Sequence, residues 1–238
     1  MNHESYLRAV GLPEYADHRT EAAERGAALV ARPPHATVDA DTVEDCYVYP
    51  VPERGPDGAC GVGLADDPYN LAPICGLEYD RERLRDHPNT ARLVALDETV
   101  RRLAEETNPD WLGVYRRATN PDGEEVLVKE AYVGEPSRAE FPLTESFAER
   151  SNNARVGLTG EAVLVEDVEG YDGPYYECDD SVRSEFCCPI LADGEVVGIV
   201  DAEAHEPNFF TAERVLAVAG TCAALADSDL LTPPRVEA

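Results

Sequence analysis

The chain has 238 residues, of which 48 are Asp or Glu and 20 are Lys or Arg, so its formal net charge is -28. A surface this acidic repels nucleic-acid phosphates and anionic lipid, which makes nucleic acid and membranes poor partners. The length is sufficient to bury a substantial hydrophobic core.

The first residues lack the basic start and apolar run of a signal peptide, and no segment approaches the roughly 18 apolar residues that cross a bilayer. We therefore expect a soluble, cytoplasmic protein. The excess of acid is typical of a halophilic protein, because salt screens the repulsion among surface carboxylates. On this interpretation a single Asp or Glu carries little functional information by itself.

Seven cysteines, an odd number, occur without a secretion signal, which disfavours a framework of structural disulfides. None lies in a C-x-x-C pair, and the spacing of Cys46, Cys60 and Cys75 matches no zinc pattern. We predict no metal site and expect most of these thiols to be buried and neutral.

Residues 1–88 are predicted to form an N-terminal extension that differs from the rest of the chain. A polar, Ala-rich stretch over 20–31 predicts a helix, and prolines interrupt the sequence that follows it. The stretches "CYVYPV" and "ACGVGLA" flank "PERGPDG", a pattern that predicts a hairpin. The extension is therefore expected to start as helix and to continue as Pro-rich loops with one hairpin.

A regular pattern begins at Asn89. Apolar residues at helical spacing predict a helix that ends at "TNPD", before the apolar run "WLGVY". The turn "NPDG" then leads into an alternating strand, "EEVLVKEAYVG". "SEFCCPIL" and "GEVVGIVDAEA" predict a hairpin joined by "ADG", and a closing helix starts near Thr211, a predicted N-cap. This order predicts an α+β domain over 89–228, followed by a tail over 229–238.

Strand alternation indicates where chemistry could concentrate in this hairpin. Glu185 and Cys187 should share one face, whereas Cys188 faces the other way. Asp201 and Glu203 share a face of the partner strand, so three carboxylates converge beside Cys187 if the register allows it. A solvated strand end in an acidic protein would have the same spacing, and the residues alone favour that simpler interpretation. A converged cluster would raise a carboxyl pKa or hold a cation such as a ligand ammonium group.

The stretch from about 90 to 228 resembles a GAF domain, and more narrowly the free methionine-(R)-sulfoxide reductases, which reduce one epimer of unbound methionine sulfoxide. Four pieces carry the resemblance through their order and spacing: "DWLGVY", "LVKEAYVGEP", "ECDDSVRSE" and "GIVDAEA". The fold that it implies is a GAF-like antiparallel sheet flanked by helices, in the α+β class.

The resemblance also implies a set of site residues. Cys178 stands where the family has its catalytic thiol, which attacks the sulfoxide sulfur and becomes a sulfenic acid. Aromatic residues would enclose the methyl end of the substrate, and carboxylates would bind its ammonium group. The residues at these substrate-binding positions are Trp111, Tyr115, Glu185, Asp201 and Glu203.

The sequence departs from the family at the positions that regenerate the catalytic thiol. Two further cysteines do this in the family, in turns like "GKPAC" and "GVCGTA". The chain has "GEPSR" and "GLTGEA" instead, with Arg138 and Thr159 in place of the thiols. The usual disulfide relay within the chain is therefore absent. Glu203 is also one methylene longer than the aspartate of the family.

A sulfenic acid at Cys178 needs a second thiol to resolve it. Cys187 is the first candidate, because alternation places it on the face of Glu185. The cysteines of the extension are a second source, and an external thiol is a third. We expect no bound cofactor, a small-molecule substrate, and a thiol reductant such as a thioredoxin-like protein as partner. A homodimer is left open.

The competing interpretation is a non-catalytic GAF module that senses a small molecule or a redox state and acts through a partner protein. The missing relay cysteines favour it, whereas the lack of a recognisable output segment speaks against it. A scaffold in which the N-terminal extension is the binding element is a third alternative. Reduction of free L-methionine (R)-S-oxide is the function that we predict from the sequence.

Overall fold

The computed structural model describes residues 1–54, 60–173 and 181–234. Its helices are α1 (His3–Ala9), α2 (Arg19–Leu29), α3 (Ala40–Tyr47), α4 (Pro88–Thr107), α5 (Glu145–Ala148), α6 (Asn152–Thr159) and α7 (Ala212–Ala226). Its strands are β1 (Val48–Tyr49), β2 (Pro52–Arg54), β3 (Cys60–Leu64), β4 (Tyr69–Asn70), β5 (Trp111–Thr119), β6 (Glu125–Val133), β7 (Glu140–Pro142), β8 (Val163–Val165), β9 (Ser184–Ala192) and β10 (Glu195–Ala204). No helix within these three ranges is both long enough and apolar enough to span a membrane.

Six strands form one antiparallel sheet in the order β7-β6-β5-β10-β9-β8. The hairpin predicted around "ADG" is confirmed, because β9 and β10 are paired and joined by Asp193 and Gly194. The φ angles of these two residues are 52° and 87°. Positive φ at both central residues is the type I′ geometry, which matches the twist of the flanking strands and which Asp-Gly adopts readily. The α+β class is confirmed.

Helices α1, α2, α4 and α7 contribute to the main hydrophobic core, together with one face of the sheet. The predicted helix after Asn89 is present as α4, and it buries Leu96, Val100 and Leu103 completely. Helices α2 and α7 approach each other closely, since a Cβ atom on Gly26 would lie 2.1 Å from the carbonyl oxygen of Gly220. The absence of side chains at both glycines lets the two backbones touch.

The first 31 residues supply part of this same core. Tyr6, Leu7 and Val10 are buried in it. The Tyr6 hydroxyl donates to the Pro189 carbonyl oxygen on β9 at 2.6 Å, which ties α1 to the sheet. Residues 1–31 therefore share a core with the domain predicted over 89–228. The division at residue 88, which composition suggested, stays a prediction.

The segment over 38–84 forms a second layer with its own cluster of buried side chains, packed against β6. Val43, Tyr47 and Leu71 are fully buried there. The Tyr49 hydroxyl donates to the Lys129 carbonyl oxygen of β6 at 2.7 Å. The extension contains a hairpin, the antiparallel pair β2 and β3, but its first strand lies in the stretch that was predicted as the turn. The stretch that was predicted as the first strand contains β1, which pairs with β4 instead. The connection between β2 and β3, residues 55–59, lies outside the described residues.

Candidate functional site

A small cavity lies between the start of α6 and the face of the sheet opposite the main core. Strands β5, β9 and β10 form one wall, and the segment that precedes β7 closes one side. All five predicted substrate-binding residues line it: Trp111, Tyr115, Glu185, Asp201 and Glu203. The cavity volume is about 30 Å³, which is room for about one water molecule.

The register of the β9–β10 hairpin explains why the carboxyl groups meet. Glu203 lies directly opposite Glu185, and Asp201 lies directly opposite Cys187. All four side chains therefore share one face of the sheet. Glu185 and Asp201 are only 4% and 2% exposed. The simpler interpretation from sequence, a solvated strand end, is wrong for these two residues, because α6 covers them.

Two asparagines at the start of α6 hold the buried carboxyl groups. Ser151 is the N-cap of this helix and accepts a hydrogen bond from the Ala154 N–H. The Asn152 side chain donates to Glu185 Oε2 at 2.8 Å. The Asn153 side chain donates to Asp201 Oδ2 at 2.9 Å. Sequence reasoning missed both asparagines, although the run "SNN" carries an N-cap signal that predicts a helix start.

Burial changes the acidity of the two carboxyl groups. Loss of hydration, followed by repulsion from Asp201, raises the pKa of Glu185 to about 8, while the hydrogen bond from Asn152 opposes the change. Loss of hydration raises the pKa of Asp201 to about 7, against the hydrogen bond from Asn153. The pair therefore retains a proton near neutral pH and can donate a hydrogen bond to a ligand.

The cavity also presents acceptor atoms. Asp201 Oδ1 and Asn153 Oδ1 are buried and have no hydrogen-bond partner among the described residues. An N–H or O–H donor on a ligand would satisfy them, which suits an ammonium group. In the parts of the chain that the structure describes, no group of three or more His, Cys, Asp or Glu side chains could hold a metal ion.

The buried pair should make the protein less stable as the pH rises. The ordinary pKa values are 4.5 for Glu185 and 3.8 for Asp201, and the folded values are about 8 and about 7. The folded state therefore binds more protons than the unfolded state between about pH 4 and pH 8. The contribution of this pair to the free energy of unfolding should be intact below that window and should fall by several kcal/mol across it, since each unit of pKa difference corresponds to about 1.4 kcal/mol.

Denaturant unfolding between pH 5.5 and pH 8.5, at constant high ionic strength, measures this decline. The double variant Glu185→Gln with Asp201→Asn should decline less steeply than the wild type, because the titrating groups are gone. A double variant that loses stability as steeply as the wild type would contradict the raised pKa values.

Aromatic rings form the apolar wall of the cavity. Trp111 and Tyr115 lie two positions either side of Gly113 on β5, and their ring centroids are 6.1 Å apart. A Cβ atom on Gly113 would lie 2.4 Å from the Trp111 ring, so only glycine allows the indole to lie along the strand. Phe141 packs edge-on against Tyr115 with centroids 5.2 Å apart. This wall can enclose an apolar end of a ligand.

Arg138 and Thr159, which stand where the resemblance to the reductases would place relay cysteines, lie in different surroundings. Arg138 lines the cavity, its Nε donates to the Glu140 carbonyl oxygen at 2.5 Å, and its guanidinium lies over the Phe147 ring. Thr159 is exposed near the end of α6 and donates to the Arg155 carbonyl oxygen. Lys129 holds the segment beside Arg138, because its ammonium donates to the Ser137 carbonyl and hydroxyl oxygens, both at 2.8 Å.

The cysteines lie in different parts of the fold. Cys178, the predicted nucleophile, lies outside the described residues. Cys187 faces the cavity side of the sheet but is fully buried, and loss of hydration raises its pKa well above the ordinary value. Cys188 faces the main core as predicted, 3.4 Å from the Tyr6 hydroxyl. Cys46 and Cys75 are partly buried against the second cluster, and burial raises the pKa of each, that of Cys46 to about 12.

The chain is similar to one curated protein in sequence and to several solved structures in fold. YtsP of Bacillus subtilis is 29% identical over 101 residues, which is 42% of this chain and 56% of YtsP, so the alignment spans little more than half of that relative. The type II free methionine-R-sulfoxide reductase of Thermoplasma acidophilum is similar in structure, with a TM-score of 0.52 and 22% identity over 60% of this chain and 94% of that one. The free methionine-R-sulfoxide reductase of Neisseria meningitidis has a TM-score of 0.49 and 22% identity, over 57% of this chain and 76% of that one.

At these identities the structural likeness shows the fold and no more. The sequence profile of the GAF domain gives the family, since it matches residues 92–227, which is more than half of the chain. The sheet and the helices around it agree with the fold that the resemblance implied. The protein therefore belongs to the GAF domain family.

Proposed function

We propose that this protein reduces free L-methionine (R)-S-oxide to methionine, with Cys178 as the nucleophile. The observation that carries the proposal is the convergence of Glu185, Asp201 and Glu203 beside Trp111 and Tyr115 in one cavity. A cavity that combines buried carboxyl groups with an aromatic wall suits a ligand with an ammonium group at one end and a methyl group at the other. Free methionine sulfoxide has this shape and polarity.

The chemistry assigns a separate task to each part of the site. A carboxylate and the unpartnered acceptors Asp201 Oδ1 and Asn153 Oδ1 would bind the substrate ammonium group. A carboxyl group that keeps its proton would donate a hydrogen bond to the sulfoxide oxygen, which makes the sulfur more electrophilic. Trp111 and Tyr115 would enclose the thioether end.

The redox step exchanges two electrons between two sulfur atoms. The Cys178 thiolate attacks the sulfoxide sulfur, the S–O bond of the substrate breaks, and the oxygen is transferred to the cysteine with a proton. The products are methionine and a sulfenic acid at Cys178, so the sulfoxide is reduced while the thiol is oxidised. Two equivalents of an added thiol then form one disulfide and one water molecule and restore the Cys178 thiol.

An external thiol is the resolving group that the observations favour. Arg138 and Thr159 stand where the resemblance to free methionine-(R)-sulfoxide reductases would place relay cysteines. Cys187 is fully buried and its pKa is raised, so it has little thiolate at neutral pH with which to attack a sulfenic acid. The role of Cys187 as resolving thiol stays a prediction, which a protein reductant and the Cys187→Ser variant would test.

The cavity volume sets a condition on binding. A space of about 30 Å³ holds about one water molecule and not a whole amino acid. Binding of methionine sulfoxide therefore requires wall side chains to move apart. The same observation favours the second candidate function, a GAF module that binds a smaller molecule or senses redox state and acts through a partner protein.

A stereospecific assay separates the two candidates. Purified protein in high salt, supplied with a dithiol, should consume methionine-(R)-sulfoxide and leave the S epimer unchanged, with methionine measured by chromatography. Glu125→Gln, a change on the exposed end of β6, is a matched control that should keep wild-type turnover. Binding of methionine sulfoxide without turnover by any of several reductants, including a thioredoxin, would reject the reductase and leave the sensor.

A further inference from the structure

A chain of hydrogen bonds leads from the cavity into α6 and beyond it. Glu185 Oε2 accepts from the Asn152 amide nitrogen at 2.8 Å. The oxygen of the same amide, Asn152 Oδ1, accepts from the Arg155 guanidinium at 2.8 Å. The guanidinium also donates to the Tyr171 hydroxyl oxygen at 2.8 Å. Neither the resemblance nor strand alternation pointed to these three residues.

The direction of each hydrogen bond in this chain is determined by its donors. A guanidinium group has only donors, so the amide of Asn152 must turn its oxygen toward Arg155. Its nitrogen is then turned toward Glu185 and must donate. Glu185 Oε2 is consequently an acceptor, and a proton on this carboxyl group belongs on Oε1.

The neighbouring asparagine lacks this restraint. Asn153 donates to Asp201 Oδ2 at 2.9 Å, but its own oxygen has no partner in the described ranges. Among the residues that the structure describes, no partner of the Asn153 oxygen selects one orientation of this amide over the other. The two carboxyl groups are thus held differently, although both are buried beside one asparagine.

We propose that Asn152, Arg155 and Tyr171 are a positioning relay that orients the Glu185 carboxyl group and directs its proton to Oε1. Glu185 lines the cavity, so the relay would present the same oxygen as hydrogen-bond donor to each ligand. Its catalytic meaning rests on the proposed function, in which this donor meets the sulfoxide oxygen. The orientation of the carboxyl group is a property of the protein with or without turnover.

The charged groups around Glu185 determine the direction in which its titration should move. Asp201 and Glu203 face it from β10, Cys187 lies beside it on β9, and Arg155 approaches from α6. Loss of hydration and then the negative Asp201 raise the pKa of Glu185, whereas the Asn152 hydrogen bond and the positive Arg155 lower it. Loss of Arg155 removes a cation and frees the Asn152 amide, so both effects should raise the Glu185 pKa.

Infrared titration tests the relay without any need for enzyme activity. The carbonyl band of the protonated, buried Glu185 carboxyl group is identified by its loss in Glu185→Gln. Its midpoint should rise by roughly one pH unit in Arg155→Leu and in Asn152→Leu, and by less in Arg155→Lys, which keeps the charge. Tyr171→Phe, a mild change, should produce a small rise in the same direction. Arg183→Gln, which breaks an ion pair with Asp167 outside the cavity, is the matched control and should leave the midpoint unchanged.

Enzyme kinetics provides a second readout. If the protein is active, the high-pH limb of the kcat/KM profile should shift to higher pH in Arg155→Leu, together with the infrared midpoint. The value of kcat should fall, because the hydrogen-bond donor is less well oriented. A purely structural role would lower the melting temperature and leave both the limb and the midpoint in place. Folded Arg155→Leu and Tyr171→Phe proteins with the wild-type midpoint would overturn the relay. If the wild type is inactive and the infrared midpoint still moves in the variants as described, the reductase would be rejected and the relay supported.

Discussion

Replacing Cys178 by serine should lower the reduction of methionine-(R)-sulfoxide by at least about a thousand-fold, because the group that forms the new bond is removed. A serine hydroxyl is almost entirely protonated at neutral pH and cannot accept the sulfoxide oxygen to form a sulfenic acid. The measurement is methionine formed per protein chain in high salt with a dithiol. A single-turnover experiment without reductant should yield about one methionine per wild-type chain and none from the variant.

Cys75→Ser is the control for this experiment. Cys75 is partly buried against the second cluster, outside the cavity lining, and its replacement should leave turnover unchanged. Turnover that survives in Cys178→Ser would reject Cys178 as the nucleophile. The loss of turnover in both variants would instead indicate that two thiols are needed within one chain.

Replacing Glu130 by glutamine should lower the free energy of unfolding by about 3–5 kcal/mol, because it leaves two buried guanidinium groups without their counter-charge. Glu130 has no exposed side-chain surface and pairs with Arg92 and Arg116. Arg92 binds both of its carboxylate oxygens, at 2.5 and 2.9 Å, and Arg116 Nε donates at 2.6 Å. Burial alone would raise the pKa of Glu130, but the two arginines outweigh it and lower the pKa. This carboxylate is therefore charged and indispensable to the pairing.

An exposed ion pair on α4, the helix that carries Arg92, provides the comparison. Glu98 and Arg102 form an ion pair one turn apart on α4 with side chains 49% and 43% exposed. Glu98→Gln should cost no more than about 0.5 kcal/mol, since water and salt screen such a pair. Unfolding by guanidinium chloride at pH 7 measures the free energy of unfolding of both variants. Equal losses of stability in Glu130→Gln and Glu98→Gln would show that the Glu130 network contributes no more than a surface pair.

Much of the domain could be predicted from local pattern. Alternation placed Asp201 and Glu203 on one face of β10 and Glu185 on one face of β9, and the Asp-Gly turn predicted the hairpin. Whether those two faces coincide was left open, because it depends on the register. The structure decides it with a bulge between Val196 and Gly198, without which Glu185 would lie opposite Ala202 and away from Glu203. Helical spacing after Asn89 predicted α4. These predictions hold because the periods of strand and helix are properties of a few consecutive residues.

The partners that pack against each face could not be predicted in this way. Asn152 and Asn153 lie more than thirty residues before the carboxyl groups that they hold, and nothing in their spacing indicates that α6 covers the hairpin. The Glu130 network likewise joins residues from α4, β5 and β6 that are far apart in sequence. Contacts of this kind depend on how the elements fold together in three dimensions, which local propensity does not determine.

The amino-acid sequence by itself thus determined the negative net charge, the family resemblance, helix α4, the β9–β10 hairpin and the closing helix. Within each strand of that hairpin it also determined which face carries its carboxyl groups, those of Glu185, Asp201 and Glu203. Only the tertiary structure decided that two of these groups are buried rather than solvated, and that the first 31 residues belong to the main core. The physical reason is the same in both cases. Hydration, and with it the pKa values of Glu185 and Asp201, depends on what covers a side chain, and that cover comes from distant parts of the chain.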